Sequence, residues 1–500
     1  KNLYTNALEL KIDDSKKLIL NGTISITGSG GFVSPLKSDS TPFPVELSGA
    51  TSINTSGHVT IYDNLTGGQN LTVTNTGIFT LLETSATADP ADETSLAATS
   101  AATGSFTQNG TGNVALSGDI TASGSISFAG AVTLSDNVKL VSSASTITFS
   151  NSINDAVADT HFLVTSSSGS TEFTGTNSVL SCKALYVPDG TLVINKTSSI
   201  NTFAINAPIT AGSSFTLTQG TVTGTGKITV KGNFTDNGIW TGSGDIELSG
   251  TADQAFIPGS TSGSPSVYNK IIVNKQTSPA SPSPAGTVTF NTRPLSAANL
   301  TLTACSGVIF NQTVNISTLS DTAYSGNITF AADAVISSAT PFNTTGTVPF
   351  GNPAASSISF GTNSVTHTAG NTEIAGSLTA SEVEVYNLSL LTDSTISTTT
   401  TDGLKLTGGA DSAHKNSLSG NYTLTSAGNI TTSAFYEINT TNITFSPLTN
   451  TLTNKGDLSL VSTTITGLID NTSANNITVN NDSSLEGSLT NNGTLTLSAH

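Results

Sequence analysis

The sequence predicts an all-β protein wound as a parallel β-helix, a β-solenoid with loop excursions, and three observations lead there. Apolar residues arrive in short alternating bursts from one end of the chain to the other. Turn-forming pairs such as NG, TG, SG, NN and DN separate the bursts. No segment carries apolar residues at helical spacing.

The bursts follow one another in order. LELKI (Leu8 to Ile12), TISIT (Thr23 to Thr27), AVTLS (Ala131 to Ser135), NVKLV (Asn137 to Val141) and TITFS (Thr146 to Ser150) open the series. KITVK (Lys227 to Lys231), DIELS (Asp245 to Ser249), TVTFN (Thr287 to Asn291), LTLTA (Leu300 to Ala304) and NITFA (Asn327 to Ala331) continue it. LKLTG (Leu404 to Gly408), DLSLV (Asp457 to Val461), NITVN (Asn476 to Asn480) and TLTLS (Thr494 to Ser498) complete it. Each has the length of an ordinary strand, about five residues, with one face apolar.

Composition narrows the architecture. Of 500 residues, 157 are Ser or Thr and 10% are charged, against about 25% charged in ordinary domains. Such a chain invites disorder, yet 35% of it is hydrophobic and that share is placed in strand pattern. Blade signatures and a recurring period near 100 residues, expected of propellers and tandem immunoglobulin-like modules, are both missing. A solenoid buries a few alternate residues per coil and tolerates loops of any length, so a ragged period is natural. With about 20 to 25 residues per rung, the chain makes about 20 to 25 rungs, a rod of about 100 to 120 Å at ~4.8 Å per rung.

The phrase DNGIWTGSGDIELSG (Asp236 to Gly250) illustrates the expected coil. Ile246 and Leu248 point inward and Asp245 and Glu247 outward, with Gly238 and Gly244 supplying positive φ at corners. Asn237 suits a corner because Asn tolerates the left-handed region. Similar phrases are NTGIFTL (Asn75 to Leu81), NKGDLSL (Asn454 to Leu460) and NNGTLTL (Asn491 to Leu497). Solenoid rungs are expected over 1–82 and 106–500. Residues 83–105 read as a linker or excursion, and 276–286 as a Pro-rich loop that cannot donate to a ladder. The chain begins without Met and stops amid a repeat-like phrase, which reads as a fragment or processed part of a longer protein.

Charge excludes several partners. Acidic residues outnumber basic ones 33 to 16, for a net charge of −17, and Arg293 is the sole arginine. Replacing phosphate counterions needs clustered Lys and Arg, so nucleic acid is excluded and anionic lipid disfavoured. No run of about 18 apolar residues spans a membrane. Cys182 and Cys305 lie far apart in sequence, and a disulfide needs Cα atoms within roughly 7 Å. Two buried thiols are expected, with Cys182 on the parity of Leu180, Ala184 and Tyr186.

Candidate chemistry is sparse. Phe290-Asn291-Thr292-Arg293-Pro294 reads as a surface loop rather than a uronate site. Glu382 and Glu384 share a strand face, and two carboxylates about 5 to 9.5 Å apart hydrolyse glycosides, but alternate Glu on a solvated face is the commoner arrangement. His58, His161, His367, His414 and His500 stand singly, without HExxH or HxH spacing. Asp89, Asp92 and Glu93 read as a solvated linker rather than a calcium-binding loop. Trp240 is expected to fill a rung beside Ile239 rather than stack on a sugar. Sequons at Asn21, Asn327 and Asn442 are acceptors where a host has the machinery. Hence no catalytic, cofactor or metal site is expected, and the chain does not read as an enzyme.

The stretches GNFTDNGIWTGSGDIELSGTADQAFIPGS, SVYNKIIVNKQTS and GTVTFNTRPLSAANLTLT resemble a repeat of very large bacterial surface proteins. GAVTLSDNVKLVSSASTITFSNSIN (Gly130 to Asn154) resembles repeats of filamentous-haemagglutinin-like adhesins and autotransporter passenger domains. The first match covers about Lys231 to Thr303, with fainter echoes elsewhere. The resemblance implies a right-handed parallel β-helix, secreted or on the cell surface, used for adhesion, spacing or matrix formation. This sequence departs from the family in lacking an NPNG-type secretion signature, a carboxy-terminal barrel, an LPxTG-like anchor and calcium-binding GGxGxDxUx repeats. The expected roles are a fibre, surface layer or adhesin stalk that self-associates. The alternatives are a passenger domain binding glycans or cell surfaces and, less favoured, a polysaccharide-active enzyme.

Overall fold

The computed structural model describes residues 3–5, 16–27, 29–37, 40–62, 65–82, 100–261, 264–276, 284–321, 324–351, 356–400, 403–411, 415–446, 448, 450–471, 475–480 and 483–498. Among them no helix occurs, and parallel strands stack into a β-solenoid of about 19 turns. Insertions bring the count slightly below the 20 to 25 rungs expected from an even period. Two compact units divide the chain, one of residues 1–247 with 259–266 and one of residues 248–258 with 267–500.

In the first unit the turns from Leu71 onward contribute three short strands each, after the longer strands Leu18–Ile26 and Val45–Thr55. One face stacks Leu71–Asn75, Phe106–Gln108, Ile126–Phe128, Ile147–Phe149, Ser170–Phe173, Thr191–Asn195, Phe215–Gln219 and Phe234–Asp236 in parallel. A second is a ten-stranded parallel sheet running from Phe32–Val33 to Ile239–Trp240. The third stacks Ser100–Thr103, Asp119–Ala122, Val138–Ser142, Phe162–Ser167, Ala184–Val187, Ile209–Ala211 and Ile228–Val230.

Register keeps buried positions on buried positions. Phe106 pairs with Ile126, Ile126 with Ile147, Ile147 with Thr171, Thr171 with Leu192, Leu192 with Phe215 and Phe215 with Phe234. All seven are at most 2% exposed, so one inward column forms a dry core. Because side chains alternate, a one-residue slip would turn the column to solvent, and this fixes register.

Phenylalanine stiffens the core. Phe128, Phe149 and Phe173 occupy one column with ring centroids 5.5 and 5.4 Å apart and planes within 18°. In the second unit Phe256, Phe290, Phe310, Phe330 and Phe350 pair in register, with centroids 5.2, 5.0, 5.1 and 5.8 Å apart. Offset stacks of this kind add about 0.5–1.5 kcal/mol per pair beyond the area buried.

The second unit departs from the expected five-residue strands. Val365–Ala380, Val383–Thr398 and Ile430–Phe445 are single strands of 16 residues. Val365–Ala380 pairs in succession with Thr340–Pro341, Thr347–Phe350 and Ser356–Ser359. Its register with the next turn shifts between His367 and Asn371 and between Ile374 and Gly376. Corners here are turned by irregularities within a strand, which bend it without ending the ladder.

The corner chemistry differs from expectation. Gly238 and Gly244 are not among the positive-φ residues. They are needed for close approach: a Cβ on Gly244 would lie 2.0 Å from the Gly226 carbonyl oxygen, and one on Gly238 2.5 Å from that of Gly220. No Asn has positive φ among the described residues. Asn237 is exposed, and its neighbour Asp236 is the buried corner residue, accepting from Gly238 N at 2.9 Å. Asn75, Asn454 and Asn491 of the similar phrases act through their amides. Thr432 Oγ1 donates to Asn454 Oδ1, Asn454 Nδ2 to Asn471 Oδ1 and Asn471 Nδ2 to Asn491 Oδ1, an asparagine ladder climbing turn by turn.

In the first unit Gln108 performs the same task. It is fully buried, donates to Asn75 Oδ1 and the Gly110 and Gly112 carbonyls, and accepts from Ala129 and Gly130 N–H. Within the segment expected as an excursion, Ser100–Thr103 forms a strand paired with Asp119–Ala122, while 83–99 lie outside the described residues. At the Pro-rich loop Gln276 and Pro284 form an antiparallel bridge, and 277–283 lie outside the described residues.

Candidate binding groove

The third face of the first unit carries a groove of about 420 Å³ lined by Lys139, Val164, Ser166, Tyr186, Pro188, Asp189, Thr210, Gly212 and Lys231. Register builds it. Lys139 pairs with Val164, Val164 with Tyr186 and Tyr186 with Thr210, so one outward column crosses four turns. Phe162, Val164 and Ala184 form a small apolar cluster outside the main core, and Tyr186 packs against it. The Phe162 and Tyr186 rings meet edge-on at 5.9 Å. This apolar backing fixes the Tyr186 ring, while Ser166 Oγ donates to Asp189 Oδ2 at 2.8 Å.

The placement of Tyr186 corrects the expected parity. Leu185 and Val187 fill the interior, at 0% exposure, and Tyr186 faces the groove. The alternation breaks at the corner between Ser178–Ser181 and Ala184–Val187, where Cys182 is buried. Its thiol donates to the Ala184 carbonyl, and burial pushes its pKa up to about 12. Cys305 is likewise a buried free thiol.

The remaining candidates sort into structural contacts. Trp240 is 4% exposed, edge-on to Phe234 and Phe215, with Nε1 donating to the Gly242 carbonyl. Arg293 Nη1 donates to the Pro258 carbonyl at 3.2 Å, closing the loop in which Thr292 has φ 71°. Glu382 Oε1 accepts from Lys405 Nζ at 2.8 Å and Glu384 Oε1 from Thr407 Oγ1 at 3.4 Å, so both carboxylates tie to the following turn. His161 Nδ1 meets Asp155 Oδ1 at 2.6 Å, and the same carboxylate caps Val157, Thr160 and His161 N–H. These backbone and side-chain bonds outweigh burial and lower the Asp155 pKa.

His58 Nδ1 accepts from Ile78 N. His367 is buried between Thr372 Oγ1 and the Thr344 carbonyl, and burial lowers its pKa. Among sequons, Asn327 Oδ1 accepts from Thr347 N and Asn442 Nδ2 donates to Thr423 Oγ1, while Asn21 lies against Gly49. Asp89, Asp92, Glu93, His414 and His500 lie outside the described residues. Among the described residues no cluster of three or more His, Cys, Asp or Glu could hold a metal, and no helix is long and apolar enough to cross a membrane.

The groove was not foreseen from sequence. Its residues fall on several strands and corners, and the available signal is an aromatic on the outward parity of ALYVPDG with a lysine two turns away on either side. Fold and groove together define a structural β-solenoid with a groove on one face. No protein family, curated protein or solved structure matches the chain.

Proposed function

We propose that this chain is an extracellular structural β-solenoid of the bacterial cell surface, which self-associates into a fibre or surface layer or serves as an adhesin stalk. The supporting observation is the uninterrupted logic of its turns. Inward columns of Phe, Leu, Ile and Val are matched in register, and corner amides are paired to the next turn. Every such contact serves stacking, and the charge-poor hydroxyl exterior offers many weak, repeated contacts. Electron microscopy of the natively isolated protein over a dilution series tests the reading. Fibres or sheets with a regular axial repeat that survive dilution support it, and particles that remain separate at every concentration overturn the assembly role.

A second reading, glycan binding by a passenger domain, draws on the groove. Its volume falls in the range of small-ligand sites, Tyr186 offers an aromatic surface, and Lys139 and Lys231 outnumber the hydrogen-bonded Asp189. An acidic saccharide fits that set best. Titration with an oligogalacturonate should give saturable binding that Tyr186→Ala abolishes and a neutral oligosaccharide does not reproduce. Equal binding by Tyr186→Ala would remove the groove from consideration.

A further inference from the structure

Two buried polar side chains of the second unit face each other. Gln254 opens the strand Gln254–Ile257 and is 3% exposed, and Lys275 follows the strand Val267–Asn274 and is 0% exposed. The two stand at the start and end of one turn. Lys275 Nζ donates to Gln254 Oε1 at 2.7 Å and to the Ser249 carbonyl at 3.4 Å. Among the described residues the Nζ partners are this amide and this carbonyl, while the charge of Asp253 acts on the amine from farther off. The lysine stem passes Gly286, where an added Cβ would lie 2.8 Å from Lys275 Cε. The passage is therefore shaped around it.

We propose that Lys275 and Gln254 form an intrachain isopeptide bond that closes this turn of the solenoid into a covalent ring. A hydrogen bond of 2.7 Å to an amide oxygen places the amine about 3.5 Å from the amide carbon, at the edge of near-attack range. The Nζ lone pair forms the new bond to Cδ, and the former C–N bond pair leaves with the amide nitrogen. One Nζ proton passes to that nitrogen, which departs as ammonia. A secondary amide remains, and no oxidant or reductant is needed.

The surroundings favour the amine as the attacking group. Burial lowers the Lys275 pKa and outweighs the opposing influence of Cys305 and Asp253, which enlarges the neutral, nucleophilic fraction. The Ser249 carbonyl accepts one N–H and holds the amine against Gln254. Cys305 is the other buried nucleophile of this corner, since the Lys275 N–H bonds the Ala304 carbonyl. Its Sγ lies at 2.9 Å from the Gly307 carbonyl and 3.1 Å from that of Gly286, and burial raises its pKa. The thiol stays protonated and turned to the backbone.

Intact-mass measurement of the full chain decides the matter, followed by peptide mapping after proteolysis. The expected result is a mass lower than the sequence mass by one ammonia, with the Gln254 and Lys275 peptides recovered as one branched species. Lys275→Arg keeps a cation at the site but removes the acylable amine, and should restore the full mass. Lys196→Met, at the other buried lysine, should leave the loss in place. Recovery of unmodified Gln254 and Lys275 peptides from the folded parent protein would overturn the proposal, whatever the variants do. An ammonia loss mapped to any other residue would overturn it equally.

Discussion

Replacing Phe310 with alanine perturbs the ladder at its most regular point. Phe310 is fully buried between Phe290 and Phe330, at 5.0 and 5.1 Å with planes 16° apart on each side. Truncation of a buried Phe to Ala costs about 3–5 kcal/mol. Phe310→Leu keeps most of the apolar volume and loses two ring pairs, at about 0.5–1.5 kcal/mol each, so it should cost about 1–3 kcal/mol. Because each turn contacts its neighbours chiefly, solenoid energetics are nearest-neighbour sums. The damage should therefore concentrate in Thr287–Phe290 and Asn327–Phe330, the paired strands on either side. Hydrogen exchange reads this directly. Amides there should lose about two to three and a half orders of magnitude of protection in Phe310→Ala, at 1.4 kcal/mol per tenfold, while Ile430–Phe445 keeps its protection. Equal costs for Leu and Ala, or a uniform loss along the chain, would refute the ladder argument.

Further outcomes follow from the corners and the buried charges. Gln108→Leu leaves Gly130 N–H and Asn75 Oδ1 without their partner. Thermal or chemical melts should show a loss of about 1–3 kcal/mol per stranded group. Gly244→Ala drives a Cβ to 2.0 Å from the Gly226 carbonyl, whereas Gly68→Ala has φ +63° and nothing within 4 Å. The Gly68 variant should cost only the left-handed penalty of about 1–2 kcal/mol and the Gly244 variant more, by the same melts. Lys196 is buried with Nζ bonded to the Thr174 carbonyl and Ser178 Oγ, and burial lowers its pKa from 10.5 to about 8. The fold thus favours the neutral amine, a contribution present above pH 10.5 and lost as pH falls through about 8. Denaturation across that window should show Lys196→Met gaining on the parent as pH falls, and a constant gap would contradict it.

What could be read from the chain follows from which contacts are local. Alternation within TITFS or DIELS is visible in five residues, and Ile147, Phe149, Ile246 and Leu248 are buried as their parity requires. Corners were harder, because the demand on Gly244 comes from Gly226 one turn earlier rather than from its own φ. Parity carried through the corner at Cys182 puts Tyr186 on the wrong face, because the alternation restarts there with Leu185 and Val187 inward. The phenylalanine ladder did leave a trace in sequence, since Phe290, Phe310, Phe330 and Phe350 recur every 20 residues. The groove left almost none. Lys139, Tyr186 and Lys231 come to line one groove only once insertions of unequal length have been absorbed into turns of 19 to 24 residues.

The regular 20-residue step between Phe290, Phe310 and Phe330 has a mechanical corollary. Ladder hydrogen bonds run along the stacking direction, so a pull in that direction loads one interface between turns at a time. Peeling a turn at Phe310 pays out about 70 Å of chain, 20 residues at ~3.3–3.6 Å each. Each release would relieve tension before the next interface is loaded, so this part of the chain should yield in steps under load. Single-molecule stretching would register those steps as contour increments of about one turn.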